Sequence, residues 1–333
     1  MDPLTQASLG AAAAVAFSKR EHLRLAAVVG AAAGMAPDID VLIKSAEDPL
    51  LSLQYHRHFT HALIFAPLLG LVVAGLFRLL LYRKRPEFSL LAKSAVIGAL
   101  THGPLDACTS YGTLLYWPFV MHRESWDIIS IIDPVFTGPL VALLLFAVLR
   151  KRRFYGRLAL ALCLIYLCLG CVQRERAKHV TEQLVAERGH TFDELTARPS
   201  LANIVLWRII YRQEDHYYVQ AVHLSLFGGH KIYEGNRVAA FQETDAASLA
   251  PDDSTLAGDI ARFRYFSQGY LYLHSGASDV IGDLRYSAFP NSVIPLWGIR
   301  FDSELPDKHG ELEYFRTVSE GDIARLWSMI LGR

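Results

Sequence analysis

The sequence is poor in cysteine and has no surplus of charge of either sign. Four cysteines occur in 333 residues, three of them in one apolar stretch, so no disulfide framework is indicated and the compartment is left open. Lysine plus arginine equal aspartate plus glutamate at 33 each, which removes the basic field that recruits nucleic acid. No nucleic-acid partner is therefore expected. The start, Met1-Asp2-Pro3, lacks the basic residues that open a secretory signal peptide, so we expect it in the mature protein.

Long apolar runs are missing from one half of the chain and frequent in the other. Hydrophobic residues make up 52% of the sequence and the mean hydropathy is +0.23, values that favour a membrane protein. The apolar runs fall almost entirely in residues 1–172, whereas residues 173–333 alternate polar and apolar side chains. The sequence thus predicts a membrane-embedded, all-α helical bundle over 1–172 and a soluble, mixed α/β domain over 173–333.

The clearest predicted membrane span is residues 62–82, close to the ~20 residues that cross a bilayer core. Residues 128–149 and 158–172 are further candidates, the second being short for a full crossing. Shorter helices are expected at residues 4–17, 25–36 and 90–105, and glycines four apart in the second of these, Gly30 and Gly34, would allow close packing. Six crossings is the simplest count, with a half-inserted hairpin of the first two helices as the alternative.

Basic residues are concentrated on alternate connections between these segments. One set of connections contains the clusters at 83–85 and 150–153, whereas the other set, residues 37–60 and 102–134, contains three basic residues in all. Basic connections favour the cytoplasmic side of the inner membrane. The second set and the domain after the last helix are therefore expected on the non-cytoplasmic side.

The second half of the chain carries patterns of both strands and helices. Alternation in residues 216–226, 262–274 and 296–302 predicts strands, with turns such as Gly228-Gly229 between them. Residues 319–331 predict a closing amphipathic helix, with Ser319 and Asp322 placed as a capping box.

Four clusters of histidine and aspartate fall at predicted helix ends on one side of the membrane. They are Pro37-Asp38-Ile39-Asp40, the run from His56 to His61, the pair His102 and Asp106, and Asp133-Pro134. Histidines and acids beside a bilayer need polar partners, and the i, i+4 spacing of the third cluster puts both groups on one helix face. Taken singly, each cluster also fits a structural role: a polar helix end, a surface histidine at position 58, a His–Asp hydrogen bond, or a helix cap at position 133.

Together the clusters predict a metal site. Imidazoles with carboxylates are the ligands expected for Zn²⁺, with Mn²⁺ or Mg²⁺ if carboxylates dominate. The expected ligands are Asp38, Asp40, His56, His61, His102 and Asp106. We expect the catalytic carboxylates, including a general base, among Asp38, Asp106 and Asp133. With Asp133 these make seven candidate ligands, which is more than one site holds. Either two ions, or one ion with further carboxylates behind its ligands, satisfies the pattern.

These motifs resemble the YdjM-like family of membrane-bound metal-dependent hydrolases. The likeness covers the first half of the chain, and His58 departs from it because the family usually has a small residue there. It rests on Pro37 to Asp40, His56-Arg57 with Thr60-His61, His102 to Asp106, the stretch 109–113, Trp117-Pro118-Phe119 and Asp133-Pro134. The resemblance implies hydrolysis and, more distantly, a likeness to the all-helical zinc-dependent phospholipase C and P1 nuclease fold, hence a phosphoester substrate.

The sequence therefore predicts a hydrolase in which metal-activated water attacks a phosphoester or lipid-linked ester, with membrane lipids or a lipid-linked molecule as partner. One alternative is a transporter, whose ligands should lie near the bilayer midplane rather than at helix ends. Another is an envelope scaffold in which a metal only locks the helices together. Arg57 and Arg123 are candidates for holding an anionic substrate, with membrane-side packing or headgroup contact as their simpler role.

Overall fold

The structure, a computed structural model, describes residues 1–84, 86–315 and 319–333 and divides the chain into two units. The first, here called the helical unit, comprises Met1–Leu42, Tyr55–Cys171 and Leu201–Asn203. The second, the sheet unit, comprises Ile43–Gln54, Val172–Ser200 and Ile204–Arg333. The segment Ile43–Gln54, which joins two of the histidine and aspartate clusters in sequence, thus belongs to the sheet unit.

In the part of the chain that the structure describes, seven helices precede the first strand. They are α1 (Pro3–Ala16), α2 (Leu23–Met35), α3 (Leu51–Tyr55), α4 (Ala66–Leu80), α5 (Phe88–Ala107), α6 (Pro134–Leu149) and α7 (Arg153–Glu187), with 3-10 turns at Arg20–His22, Ala36–Leu42 and Phe59–His61. Two of the helices begin at an aspartate followed by proline: Asp2 accepts a hydrogen bond from the backbone of Thr5, and Asp133 accepts from two amides of α6. These caps satisfy amides that have no partner within the helix.

Glycines allow the helices of this unit to pack at backbone contact. A Cβ built on Gly30 would lie 2.6 Å from the carbonyl oxygen of Gly10, and one built on Gly34 would lie 2.7 Å from that of Gln6. A Cβ on Gly98 of α5 would lie 2.4 Å from the carbonyl oxygen of Gly30. The close packing predicted from Gly30 and Gly34 is therefore confirmed, and it draws α1, α2 and α5 together.

Two helical segments are long and apolar enough to cross a membrane: Arg20–Leu42 and Arg153–Glu187. Leu51–His61 with Ala66–Leu80 would add a third, although the pair is bent by 84°, and Pro134–Leu149 is a shorter apolar helix. Across the described residues this count falls short of the six crossings expected. Residues 158–172, expected to be short, form the apolar part of the 35-residue helix α7.

Besides most of α3 and the polar end of α7, the described residues of the sheet unit form two antiparallel sheets and three further helices. The first sheet has the order β1 (Glu194–Pro199), β2 (Leu206–Gln213), β3 (His216–Leu224), β4 (His230–Tyr233), with β5 (Arg237–Ala239) also paired to β3. The second has the order β6 (Leu271–Leu273), β7 (Val280–Asp283), β8 (Trp297–Arg300), β9 (Glu311–Tyr314). The helices are α8 (Glu243–Leu249), α9 (Thr255–Phe266) and α10 (Glu320–Ile330).

The predicted elements of this half have mixed outcomes. The strands expected at 216–226 and 296–302 correspond to β3 and β8, and the capping box of Ser319 and Asp322 at the start of α10 is confirmed. The strand expected at 262–274 is confirmed only at Leu271–Leu273, which form β6, and it is wrong at residues 262–266, which end helix α9. Its buried residues Leu256, Ile260 and Phe263 follow the helical period, and Ser254 caps its first turn.

Candidate metal centre

Three elements of the helical unit carry the histidine and aspartate side chains that come together. Asp38 lies on the 3-10 turn that follows α2, His61 ends the turn before α4, and His102 and Asp106 lie one turn apart on α5. The turn carrying His61 meets α5 at a glycine, since a Cβ on Gly103 would lie 2.3 Å from the carbonyl oxygen of His61. Only a residue without a side chain allows the two histidines to come together at this point.

Four donor atoms from these elements converge: Nε2 of His61, Nε2 of His102, Oδ1 of Asp38 and Oδ2 of Asp106. The two nitrogens are 2.9 Å apart. The nitrogen of His61 is 3.4 Å from the Asp38 oxygen and 3.3 Å from the Asp106 oxygen. The nitrogen of His102 is 3.4 Å from each of those oxygens. We call these four residues the His–Asp centre.

These separations match the edges of a tetrahedral metal site. Zn²⁺ binds imidazole nitrogen and carboxylate oxygen at about 2.0–2.1 Å, which places the ligands of a tetrahedron about 3.3 Å from one another. Five of the six edges of the His–Asp centre measure 2.9 to 3.4 Å. The donor set therefore encloses a volume of the size that one small divalent cation needs.

The rear nitrogen of each histidine contacts an acceptor. Nδ1 of His102 lies 2.6 Å from the carbonyl oxygen of Gly34, which can only accept, so this nitrogen carries the proton. Nδ1 of His61 lies 3.1 Å from Oδ2 of Asp40 and 3.0 Å from the hydroxyl of Thr60. With the proton of each ring on Nδ1, the Nε2 atoms of the two histidines are the positions that would face an ion, together with the two carboxylates. Such rear contacts are typical of metal-binding histidines.

Burial separates one member of the centre from the other three. The side chains of His61 and His102 are 0% exposed and that of Asp106 is 1% exposed, whereas that of Asp38 is 27% exposed. Oδ1 of Asp106 accepts from Gln6 and from the amine of Met1, whereas its Oδ2 lies 3.2 Å from Nε of Arg57 and within 3.4 Å of both imidazoles. A buried carboxylate oxygen that faces two imidazoles fits a metal ligand. Asp38 marks the side open to solvent.

Two predicted ligands lie one layer behind the centre. Asp40 accepts from the backbone amide of Arg57 at 2.9 Å and from the hydroxyl of Thr60 at 3.0 Å, and it contacts Nδ1 of His61. Nδ1 of His56 lies 3.0 Å from the other oxygen of Asp40. Asp40 and His56 therefore orient the turn that carries His61 and stand outside the four converging donors.

The remaining predicted residues are placed elsewhere. Asp133 caps α6 and accepts a hydrogen bond from the hydroxyl of Tyr166 at 2.7 Å. The Nδ1 of His58 accepts from the backbone of Phe59, so this histidine also stands outside the four. Arg57 lies 3.2 Å from Asp106, and Arg123 donates to the backbone carbonyls of Gly112 and His56 at 3.0 Å each. Both arginines are buried and engaged within the protein, which fits their packing role.

Several supporting groups gave no signal in the sequence. The carbonyl of Gly34 holds His102 through a backbone atom that no motif can mark. Gln6 reaches Asp106 from a helix a hundred residues away in sequence. Thr60 could have been predicted, since it directly precedes His61 in a polar run at the start of an apolar segment.

A second group of histidine and aspartate lies in the sheet unit, and sequence reasoning missed it. Asp48, Asp259 and His309 each offer one donor atom within 4.8 Å of the others. Arg262 donates to Asp48 at 2.8 and 3.1 Å and to Asp259 at 3.2 Å, while Nδ1 of His309 lies 3.0 Å from Asp259. Burial alone would raise the pKa of Asp48, but the hydrogen bonds and charge of Arg262 hold it below its ordinary value. We call these four residues the Arg262 cluster.

Apolar helices with a buried His–Asp centre, followed by a sheet unit, define a membrane protein with a polar site built between helix ends. Residues 1–177 match the model of the family described as YdjM inner membrane protein, and the chain belongs to that family. The match confirms the resemblance drawn from the motifs and assigns the protein to the inner membrane. Neither the curated proteins nor the solved structures contain a match to the chain.

Proposed function

We propose that this protein is a metal-dependent hydrolase of the inner membrane that acts on a phosphoester or a lipid-linked ester. The observation that carries the proposal is the convergence of Nε2 of His61 and Nε2 of His102, 2.9 Å apart, with two carboxylate oxygens. Two nitrogens and two oxygens at tetrahedral separations suit Zn²⁺ better than Mg²⁺, which prefers six oxygen ligands. The four converging donors suit one ion rather than two.

The protein's own residues would divide the work of such a site. A divalent ion bound there would supply a Lewis acid that lowers the pKa of a bound water and polarises the scissile group. The buried side chains of His61, His102 and Asp106 would hold the ion and exclude bulk water. Asp38, at 27% exposure, stands at the open side, where its second oxygen can take a proton from the attacking water. Asp40 holds His61 in the required orientation.

Apolar side chains beside the open side support a lipid or lipid-linked substrate. Ile39, next to Asp38 in the chain, is 58% exposed and Leu42 is 70% exposed. Phe119 is 78% exposed. Four residues before it, the carbonyl of Leu115 accepts a hydrogen bond from the backbone of Leu63, which closely follows the turn that carries His61. Exposed apolar groups of this size beside a polar centre are typical of sites that take amphipathic molecules.

One observation favours the scaffold alternative. Four protein donors complete a tetrahedron by themselves, as in structural zinc sites, whereas catalytic zinc usually has three protein ligands and one open position. The two functions differ in the role of Asp38, which is a permanent ligand in the scaffold and the residue next to water in the hydrolase. The transporter alternative is not favoured, because Asp38 and His61 lie on turns at helix ends.

The deciding experiment compares Asp38→Asn with His102→Ala in purified full-length protein, with exposed His122→Ala as the matched control. Metal content and hydrolysis of phosphodiester and phospholipid panels are measured for each. The hydrolase proposal expects His102→Ala to lose metal and activity, Asp38→Asn to keep metal and lose activity, and His122→Ala to keep both. Wild-type protein that binds metal, shows no hydrolysis and unfolds at lower temperature without metal would establish the scaffold. Wild-type protein that binds no metal would overturn both.

A further inference from the structure

The connection between β3 and β4 ends in an exposed apolar tip. Phe227 is 100% exposed and Leu226 is 54% exposed, and they are followed by Gly228 and Gly229, both with positive φ. The two glycines allow the tight reversal, but they do not explain why large apolar side chains occupy its outer edge. We call residues 225–229 the hairpin tip.

The hairpin tip lies beside the point where α7 changes from apolar to polar. The apolar run of α7 ends at Val172, and the next residues are Gln173, Arg174, Glu175 and Arg176. Gln173 donates to the carbonyl of Leu224 at 3.4 Å, and Arg176 donates to the carbonyl of Ser225 at 2.9 Å. With a rise of 1.5 Å per residue, both contacts lie within about 6 Å of Val172 along the helix axis. The base of the tip is therefore level with the predicted edge of the hydrocarbon core.

Strand β3 runs along α7 toward that edge. Gln220, in the middle of the strand, contacts Arg188 just beyond the far end of α7, whereas Leu224 at the end of the strand contacts Gln173. The strand thus runs along α7 from Arg188 towards Gln173, the residue that follows the apolar run. The hairpin tip continues that direction, and two further residues reach about 7 Å beyond Ser225.

Other groups near the tip suit the surface of a bilayer. Lys231 on β4 is exposed and pairs with His223, one residue before the end of β3. On α10, Trp327 is 56% exposed and Leu331 is 59% exposed, and the end of this helix lies against the ring of His223. Tryptophan and basic residues are typical of membrane interfaces, where the aromatic ring is in the headgroup layer and the cation meets lipid phosphate.

We propose that the hairpin tip inserts Leu226 and Phe227 into the interface of the same bilayer that α7 crosses, so that the sheet unit is held on the membrane surface by a second contact. Continuity with α7 selects lipid as the occupant, because the tip is hydrogen-bonded to the segment of α7 that leaves the membrane. The proposal rests on membrane association and is independent of hydrolysis.

The test places a photo-crosslinking benzoylphenylalanine at three positions of the full chain, reconstituted in vesicles of phosphatidylethanolamine and phosphatidylglycerol. Position 172, 56% exposed at the end of the apolar run, is the positive control. Position 187, exposed and about 22 Å further along α7, is the negative control. Because Phe227 is fully exposed, replacing it leaves the core unchanged.

The expected result is lipid adduct at position 227 comparable to that at 172 and several-fold above that at 187. Equal adduct at 227 and 187 would overturn the proposal. So would crosslinks from 227 to a second copy of the chain or to another protein in place of lipid, since they would assign the tip to a protein interface.

Discussion

The His–Asp centre and the Arg262 cluster contain the same residue types and differ in where their positive charge comes from. In the Arg262 cluster a guanidinium lies against both carboxylates, and Nδ1 of His309 faces Asp259. In the His–Asp centre the histidines point their rear nitrogens outward, to Gly34 and Asp40, and their front nitrogens inward. The first arrangement satisfies both carboxylates with one guanidinium. In the second, Arg57 and the amine of Met1 contact only Asp106, and Asp38 faces the two imidazoles.

Proximity of acids and histidines therefore does not by itself make a metal site. Such a set becomes a site when the groups behind the ligand atoms orient them and when protein cations do not already compensate every carboxylate. Arg57, at 3.2 Å, and the amine of Met1 both contact Asp106, whereas Asp38 faces the two imidazoles. The comparison therefore predicts metal binding in the helical unit and an ion-pair network in the sheet unit.

The largest expected effect separates the two groups by metal content. His102→Ala should weaken Zn²⁺ binding by about 100-fold or more, because it removes a ligand, whereas His309→Ala should leave binding unchanged. Elemental analysis of full-length protein purified in detergent, followed by titration with a competing chelator, gives both values. Equal loss in the two variants would show that the Arg262 cluster also binds the ion and would remove the distinction between them.

A smaller effect is expected from the carboxylate behind His61. Asp40→Asn keeps the shape of the side chain but weakens its hold on Nδ1 of His61, so metal affinity should fall by about 10–100-fold with stoichiometry retained. Chelator competition measures the affinity, and Asp133→Asn serves as the control because Asp133 caps α6 outside the four donors. A fall of the same size in the control would mean that the effect comes from general loosening of the helices.

The sequence predicted which residues converge better than it predicted their arrangement. Asp38, His61, His102 and Asp106 are four of the six residues predicted as ligands, and they converge because histidines and acids at the ends of apolar helices are costly to bury unless they have a polar partner or an ion. The motif alone could not tell Asp40 from Asp38, since the 3-10 turn that directs them to different neighbours is set by tertiary packing. The cap at Asp133 was one of two roles that the same Asp-Pro pair allows.

Predictions of secondary structure and of unit boundaries failed where neighbouring residues or distant contacts decide the outcome. The strand expected at 262–274 was wrong over residues 262–266 because the alternation there competes with a helical period that starts earlier, at Leu256. Residues 158–172 were predicted to be short for a membrane span because the sequence after them is polar and does not resemble a membrane helix. In the structure that polar continuation remains helical to Glu187. The assignment of Ile43–Gln54 to the sheet unit rests on contacts such as Asp48 with Arg262, 214 residues apart, which no local pattern contains.

Backbone packing provides a further contrast between the two groups. A Cβ on Gly103 would lie 2.3 Å from the backbone carbonyl of His61, whereas a Cβ on Gly310, beside His309, would lie 2.3 Å from a side-chain methyl of Ile299. A carbonyl in a ligand turn cannot move as a side chain can, so Gly103→Ala should destabilise the protein by about 3 kcal/mol and Gly310→Ala by about 1 kcal/mol. Thermal unfolding of the full chain measures both.

The control for this pair is Gly138 on α6, where an added Cβ would meet nothing within 4 Å. Gly138→Ala should be neutral or stabilise by up to about 1 kcal/mol, since alanine is the better helix former. If Gly310→Ala proves as damaging as Gly103→Ala, the two groups are equally intolerant of added volume and the contrast in packing is lost.

The smallest expected effect concerns the ion pair of Asp48 and Arg262. Their side chains are 24% and 27% exposed, so Asp48→Asn should lower the free energy of unfolding at neutral pH by about 1 kcal/mol or less. The pKa of Asp48 is held below its ordinary value by Arg262, and a carboxyl with a lowered folded-state pKa stabilises above its unfolded pKa of about 4. Its contribution is therefore lost as the pH falls through the folded-state pKa.

The difference in unfolding free energy between wild type and Asp48→Asn should thus be constant above about pH 5 and shrink toward zero in more acid solution. Denaturant unfolding of the sheet unit within the full chain, followed by tryptophan fluorescence at several pH values, gives this difference. A difference that is the same at all pH values would mean that the amide disturbs packing rather than charge. A difference that responds to added Zn²⁺ would mean that Arg262 does not satisfy its carboxylates, and the two groups would then differ in degree rather than in kind.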